Sequence, residues 1–325
     1  MQNRTKKIFL YLILSSLVIG AARMLIYSTP DTDEEYRKRF NEEYHVYPVG
    51  MPKELSFAGE KVPLSQFEVR ERIDRELLIN TYWQSQTMLY LKRAARWFPV
   101  IEPVLKKNNV PDDFKYLVVA ESGLTNAISP MGACGFLQFT EATAKKYGLE
   151  MNEDVDERYN TELSAEAACS YLLESKQLFG TWTLAAAAYN MGAEGLTKQI
   201  EKQKANNYYD LLLSEETLRY IARIIAIKEI LTHPAVYGYH FRQSDLYAPY
   251  KYNTFMVDSS ITNMADFAIA KKTNYKMLKL LNPWLRSNAL PNRSKKKYAI
   301  KILAEGYTGV MEDASTAPNT IEKKK

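Results

Sequence analysis

Residues 182–189 read Trp-Thr-Leu-Ala-Ala-Ala-Ala-Tyr, a stretch that is apolar around its whole helical circumference. A helix of this kind has no face to offer water, so it has to be threaded through the middle of a domain. Asn190 and Gly192 follow and are suited to end it. A chain of 325 residues with 46% hydrophobic and 12% aromatic content can enclose such a helix in one well-packed core and still build one small additional module.

A second helix is expected from Val110-Pro111-Asp112-Asp113, with proline at the first helical position and two carboxylates at the positive end of the macrodipole. It runs towards Ser122 and Gly123. Phe114, Leu117, Val118 and Glu121 are spaced by three and four, so the glutamate emerges from the stripe that faces the core. A carboxyl group so placed is partly desolvated. Desolvation disfavours the charged form, which suits a general acid that must hold its proton near neutral pH. A solvated glutamate at a helix end is the competing reading.

Further along, Gly132 and Gly135 flank Cys134 in a loop ahead of a helical run from Thr140 to Tyr147. Glycines suit a backbone that turns tightly or approaches a ligand closely. Gln138 both donates and accepts hydrogen bonds, as a sugar hydroxyl or acetamido group requires, although a purely structural network uses Gln in the same way. Tyr189 and Asn190 sit where the apolar helix ends, with a phenol and an amide able to hold a sugar or steady the acid.

These residues form an ordered set: Glu121-Ser122; Gly135-Phe136-Leu137-Gln138; Ala188-Tyr189-Asn190; and Glu216-Thr217 with Tyr220. In that order and frame, the chain from Val110 to about Pro234 resembles the lytic transglycosylases with the goose-type lysozyme fold, most closely the membrane-bound lytic murein transglycosylase D family. The resemblance implies a mainly α, lysozyme-like helical catalytic domain, with Glu121 as the single catalytic acid and base. It also implies substrate contacts from Ser122, Ser129, Gln138, Tyr189, Asn190 and Tyr220. Leu137 departs from the pattern, because relatives carry Met or Trp there against the sugar rings. The implied reaction breaks the bond between N-acetylmuramic acid and N-acetylglucosamine without water and closes a 1,6-anhydro ring. Glu141, Asp154, Asp156 and Glu157 read as a solvated turn, and hydrolysis by the usual two-carboxylate route needs a second acid from somewhere. Three readings therefore stand: a lytic transglycosylase, a hydrolytic muramidase, and a non-catalytic scaffold that binds peptidoglycan.

At the amino terminus, Arg4, Lys6 and Lys7 precede the apolar run Ile8 to Ala22, the order of an export signal. Extended past Arg23 to Tyr27, the run reaches about twenty residues, enough to span a bilayer. Residues 1–28 thus read as a signal peptide or a membrane anchor, placing the rest on the periplasmic side of the cell envelope. No cysteine follows at a lipidation position. A net charge of +5 without interleaved basic and aromatic residues argues against nucleic acid. His45, His233 and His240 have no metal-ligand spacing, and neither metal nor organic cofactor is expected. Cys134 and Cys169 either pair in an oxidising compartment or stand as two separate buried thiols.

Residues 29–65 read as a stalk and linker, irregular from Pro48 to Pro63, and residues 66–245 as the catalytic domain with a helical extension at its amino end. In that extension Ile73, Leu77, Met88, Leu89 and Leu91 supply apolar faces, and Trp97-Phe98-Pro99 is expected to introduce a new helix. Phe57-Ala58-Gly59-Glu60 and Arg75-Glu76-Leu77-Leu78 extend the same resemblance over roughly Met51 to Tyr237, with no chemistry assigned to them. Within residues 250–304, a strand at Thr254 to Val257, helices at Asn263 to Lys271 and Tyr275 to Leu281, and a strand at Tyr298 to Leu303 resemble a LysM module. LysM modules bind N-acetylglucosamine polymers. Here Asp258-Ser259-Ser260 replaces the usual Gly-Asp, which leaves glycan binding and a structural appendage both open. Residues 305–325 lack periodicity, end in three lysines and read as disordered.

Overall fold

The computed structural model describes residues 32–43 and 45–311, so the export signal or anchor and most of the carboxy-terminal tail lie outside the described residues. The chain divides into two compact units, residues 1–48 and 49–325. In the first, α1 (Asp33–Glu43) carries Asp33, Glu34 and Glu35 in its first turn and buries no residue, as its charge density dictates. No helix among the described residues is long and apolar enough to cross a membrane.

The second unit begins with a hairpin, β1 (Ser56–Phe57) and β2 (Glu60–Lys61), where an irregular stretch was expected. Ala58 and Gly59 turn between the strands with φ of 52° and 79°, the left-handed pair that a tight two-residue connection requires. Phe57 is fully buried, edge-on to Phe114 at 5.2 Å.

Two long helices follow, α2 (Phe67–Tyr82) and α3 (Gln84–Lys107). The latter corrects one expectation: no new helix starts at Pro99, because α3 runs through Pro99 and Pro103 without a break. Each proline removes one helical donor, but Leu91, Ala94, Ile101, Val104 and Leu105 hold one buried face across both. Burying that face outweighs the missing bonds. A similar adjustment applies to α4 (Phe114–Ser122), which starts three residues later than Pro111 suggested. The Asp113 carboxylate makes no capping bond. It accepts instead from the Ala58 backbone N–H and from Lys228 Nζ, both at 2.7 Å, tying the hairpin to the helices.

The remaining helices of this domain are α5 (Glu141–Lys146), α6 (Thr161–Phe179), α7 (Trp182–Met191), α8 (Ala193–Gln203) and α9 (Glu215–Thr232). As its sequence demands, α7 is the central element, and every residue from Thr183 to Ala188 is buried. It continues through Asn190 to Met191 before Gly192, at φ 84°, ends it. Glu60 of β2 caps its start, accepting from Trp182 N at 2.6 Å, Thr183 N at 2.9 Å and Thr183 Oγ1 at 2.7 Å. A carboxylate on those orphan amides meets the positive end of the helix. The hairpin therefore locks the middle of the domain from outside it.

Residues 250–304 form the expected strand, helix, helix, strand module: β3 (Tyr252–Val257), α10 (Met264–Ala270), α11 (Tyr275–Leu281) and β4 (Tyr298–Leu303). The strands pair antiparallel from Tyr252↔Leu303 to Val257↔Tyr298. Asn282 is fully buried and joins α11 to β4, donating to the carbonyls of Leu278 and Lys301 and accepting from Lys301 N.

The module is docked on the helical domain by residues 150–157, which include Asp154, Asp156 and Glu157, three of the four acids read from sequence as a solvated turn. Instead Asp156 and Glu157 are buried. Asp156 pairs with Arg158 at 2.7 Å, and Lys296 bridges Glu150 and Glu157 at 2.6 and 2.8 Å. Backbone bonds from Asp156 N to Trp284 O and from Arg286 N to Asp154 O complete the joint. The acids are buried because they have cationic partners that lie more than a hundred residues away in sequence or adjoin them. Cys134 packs in the same apolar cluster as the module, whereas Cys169 lies in the main core, and both are free buried thiols.

Candidate active site

The last turn of α4 carries Glu121, and Gly123 ends the helix at φ 59°. The Tyr220 hydroxyl, from the second turn of α9, donates to Glu121 Oε1. Although Glu121 keeps a partly exposed face, enough protein surrounds its carboxyl that burial pushes its pKa up to about 7. The Tyr220 hydrogen bond and the Arg223 charge act in the opposite direction, and Glu216 adds a smaller upward push. Tyr189 and Tyr220 are themselves held well above the ordinary phenol range by burial and by the charge of Glu121. Glu121, Tyr189, Tyr220 and Arg223 therefore form one electrostatic group.

The loop over residues 127–139 is shaped by backbone. Gly135 donates to Ala127 O at 3.0 Å and has φ 79°, and an added Cβ would lie 2.1 Å from the Arg158 carbonyl oxygen. Only glycine fits that approach. Gly135→Ala is expected to cost about 2 kcal/mol or more, from left-handed strain plus overpacking, and to lower the melting temperature in a thermal scan.

Gln138, also left-handed at φ 51°, spends both amide N–H groups on carbonyls, Ala127 at 3.0 Å and Gly135 at 2.7 Å. With both N–H groups committed, its side chain can act further only as an acceptor, a narrower capacity than the donor and acceptor expected. Ser129 closes the turn by accepting from Ala133 N at 3.0 Å, and the Ser122 hydroxyl bonds back to Val118 O at 3.2 Å. Leu137 is buried in the core, so it presents nothing to a sugar ring.

Tyr189 and Asn190 serve as ties. The Tyr189 hydroxyl donates to Leu137 O at 2.7 Å, its ring lying 5.1 Å from Tyr171 and 5.8 Å from Phe139. Asn190 Oδ1 accepts from Thr217 Oγ1 at 2.9 Å. The end of α7 thus holds the loop on one side and α9 on the other.

Sequence reasoning missed Glu76, Arg219 and Arg223. Glu76 of α2 is 1% exposed, with Arg219 Nε at 2.7 Å and Arg223 Nε at 3.6 Å. On α9, residues 216, 219, 220 and 223 recur at spacings of three and four, which was the available signal that they share a face. Of the other acids considered, Glu141 is exposed and pairs with Lys145, and Asp156 and Glu157 belong to the module joint. Glu216 is the carboxylate whose charge reaches Glu121.

Replacing Tyr220 by Phe removes a hydrogen bond that favours the carboxylate. The expected result is a rate loss of about 10- to 100-fold, the worth of one hydrogen bond to a charged group, with the alkaline limb of the pH profile moved upward. A steady-state pH series on the purified variant checks both.

The chain is similar to known proteins in two stretches. Residues 98–212 match the transglycosylase SLT domain, and residues 253–306 match the soluble lytic transglycosylase C-terminal LysM-like domain. The membrane-bound lytic murein transglycosylase D of Escherichia coli strain K12 is 26% identical over 286 residues, covering 82% of this chain and 61% of that protein. The same protein from Escherichia coli O6:H1 strain CFT073 gives the same identity and coverage. The chain thus spans about three-fifths of the length of the curated relatives it matches.

Proposed function

We propose that this chain, which matches the transglycosylase SLT domain and the LysM-like domain of soluble lytic transglycosylases, cleaves the bond between N-acetylmuramic acid and N-acetylglucosamine in peptidoglycan and leaves 1,6-anhydro ends. The observation that carries the proposal is a carboxyl of pKa about 7 hydrogen-bonded by a buried tyrosine. Near neutral pH a large share of Glu121 is protonated, and it gives that proton to the glycosidic oxygen as the bond to the muramyl anomeric carbon breaks. The carboxylate so formed is stabilised by the Tyr220 hydroxyl and by Arg223. It then takes the proton of the muramyl C6 hydroxyl, whose oxygen bonds to the anomeric carbon. The acid is regenerated and no water is consumed.

Ser122, Ser129, Gln138, Tyr189 and Asn190 are proposed to line the sugar path, Gln138 accepting and Asn190 donating. Similarity to a membrane-bound murein transglycosylase supports a cell-envelope location, with residues 1–28 proposed as the signal or anchor. The test is digestion of purified sacculi by the full-length chain, with the released muropeptides identified by mass. Anhydro ends support the proposal, whereas reducing ends favour hydrolysis. The hydrolytic reading has one specific observation behind it, the influence of Glu216 on Glu121, and it requires Glu216→Gln to abolish cleavage.

Because the acid form starts the reaction, kcat/KM is expected to fall as pH rises through about 7. A turbidity assay from pH 5 to pH 9 shows this, and a rate that climbs steadily to pH 9 contradicts it.

A further inference from the structure

We infer that the cavity between the helical domain and the LysM-like module is a second binding site, for the carboxylate-bearing peptide stem of peptidoglycan; this rests on the reading of Glu121 given above. The cavity has a volume of about 840 Å³ and is distinct from the Glu121 group, none of whose members line it. Its size falls in the range of ligand sites, and a junction between modules is where such sites concentrate.

Its walls combine aromatic surface with an excess of positive charge. Trp97, Tyr250, Tyr252 and Trp284 supply the first. Among the charged groups, Lys301 pairs with the one lining acid, Glu162. Arg96 is held by neutral partners: Nε donates to Ala248 O at 2.9 Å, Nη1 to the Tyr250 hydroxyl at 3.1 Å, and the guanidinium lies 4.3 Å over the Tyr250 ring. Neither Arg96 nor the exposed Lys251 has a carboxylate partner among the described residues. Arg96, held in place, and Lys251, exposed beside it in the lining, give a cleft with aromatic walls an excess of positive charge, which matches a ligand that brings carboxylates on a compact, partly apolar chain, and a guanidinium recognises a carboxylate in a directed way.

Reach agrees with this assignment. Leu124, in the cavity wall, is three residues beyond Glu121, so the two Cα atoms are at most about 11 Å apart. A stem tetrapeptide hangs from the muramyl residue at the bond being cut and extends roughly 14 Å. A stem on a sugar seated at Glu121 is therefore long enough to enter the cavity.

The test measures affinities of the full-length Glu121→Gln chain, which binds without turnover, for two probes: the N-acetylglucosaminyl-N-acetylmuramyl disaccharide bearing a tetrapeptide, and the same disaccharide without peptide. The expected result is at least tenfold tighter binding of the peptide-bearing probe. That ratio is expected to fall below about threefold in both Arg96→Gln and Lys251→Glu, the second lying on exposed surface where folding is not at stake. A ratio near one in the parent, or a tenfold ratio unchanged by both substitutions, overturns the assignment. Sacculus digestion by the wild type separates the two proposals. Anhydro products with a ratio near one remove only the stem site, and a tenfold ratio without cleavage removes only the catalytic reading.

Discussion

Glu121→Gln is expected to abolish release of anhydro-muropeptides, a loss of about 10²- to 10⁴-fold or more, while making the folded protein more stable at alkaline pH. The first effect follows from chemistry, since an amide neither donates the proton that the glycosidic oxygen needs nor recovers one from the C6 hydroxyl. The second follows from linkage. Glu121 has its pKa raised from 4.5 to about 7 in the folded chain, so folding binds a proton between those values. The stability tied to that proton is fully present below about pH 4.5 and is lost as pH rises through about 7, up to about 3 kcal/mol. Glutamine stays neutral, keeps an oxygen to accept from Tyr220, and escapes that loss. Thermal melts of the two proteins should therefore separate in favour of the variant as pH goes from 4.5 to 8. Equal melting temperatures throughout the range would mean that the carboxyl is well solvated, and the acid role would fail with it. A site residue that costs stability where it functions is the expected trade between activity and folding.

What was legible beforehand was whatever is encoded locally. The apolar circumference of residues 182–189 has a single packing solution, and α7 occupies it. Period and turn residues located the module's elements within about two residues, because Asn263 and Asn274 cap α10 and α11 through their own side chains. Features that depend on distant partners were not legible. Asp156 and Glu157 look solvated until Lys296 is brought beside them, and Pro99 looks like a helix start until the buried face of α3 is seen to continue past it. At the site, the glutamate on a core-facing stripe was readable. The hydrogen bonds that Tyr189 and Gln138 spend on backbone carbonyls were not, because they follow from how the loop over 127–139 folds back on α7. Glu76 was passed over for the same reason, being 143 residues from its closest partner.

That partner gives the second large effect. Arg219→Met is expected to destabilise the fold by about 3–5 kcal/mol, because it leaves the Glu76 carboxylate buried with only the more distant Arg223. Oε1 of Glu76 loses its bond at 2.7 Å, and Oε2 has no hydrogen-bond partner among the described residues. The Arg219 side chain is about a quarter exposed, so the converse change, Glu76→Leu, strands cations that water still reaches and should cost less. Denaturant titration of both single variants and of the Glu76→Leu/Arg219→Met pair tests the asymmetry. The double variant is expected to be more stable than Arg219→Met alone, since apolar side chains of similar volume replace both charges. Activity supplies an independent readout. Tyr220 lies next to Arg219 on α9 and reaches Glu121, so loosening the Glu76 anchor should lower kcat in the double variant even where its stability recovers. Unimpaired turnover in that variant would limit Glu76 to holding α2 against α9.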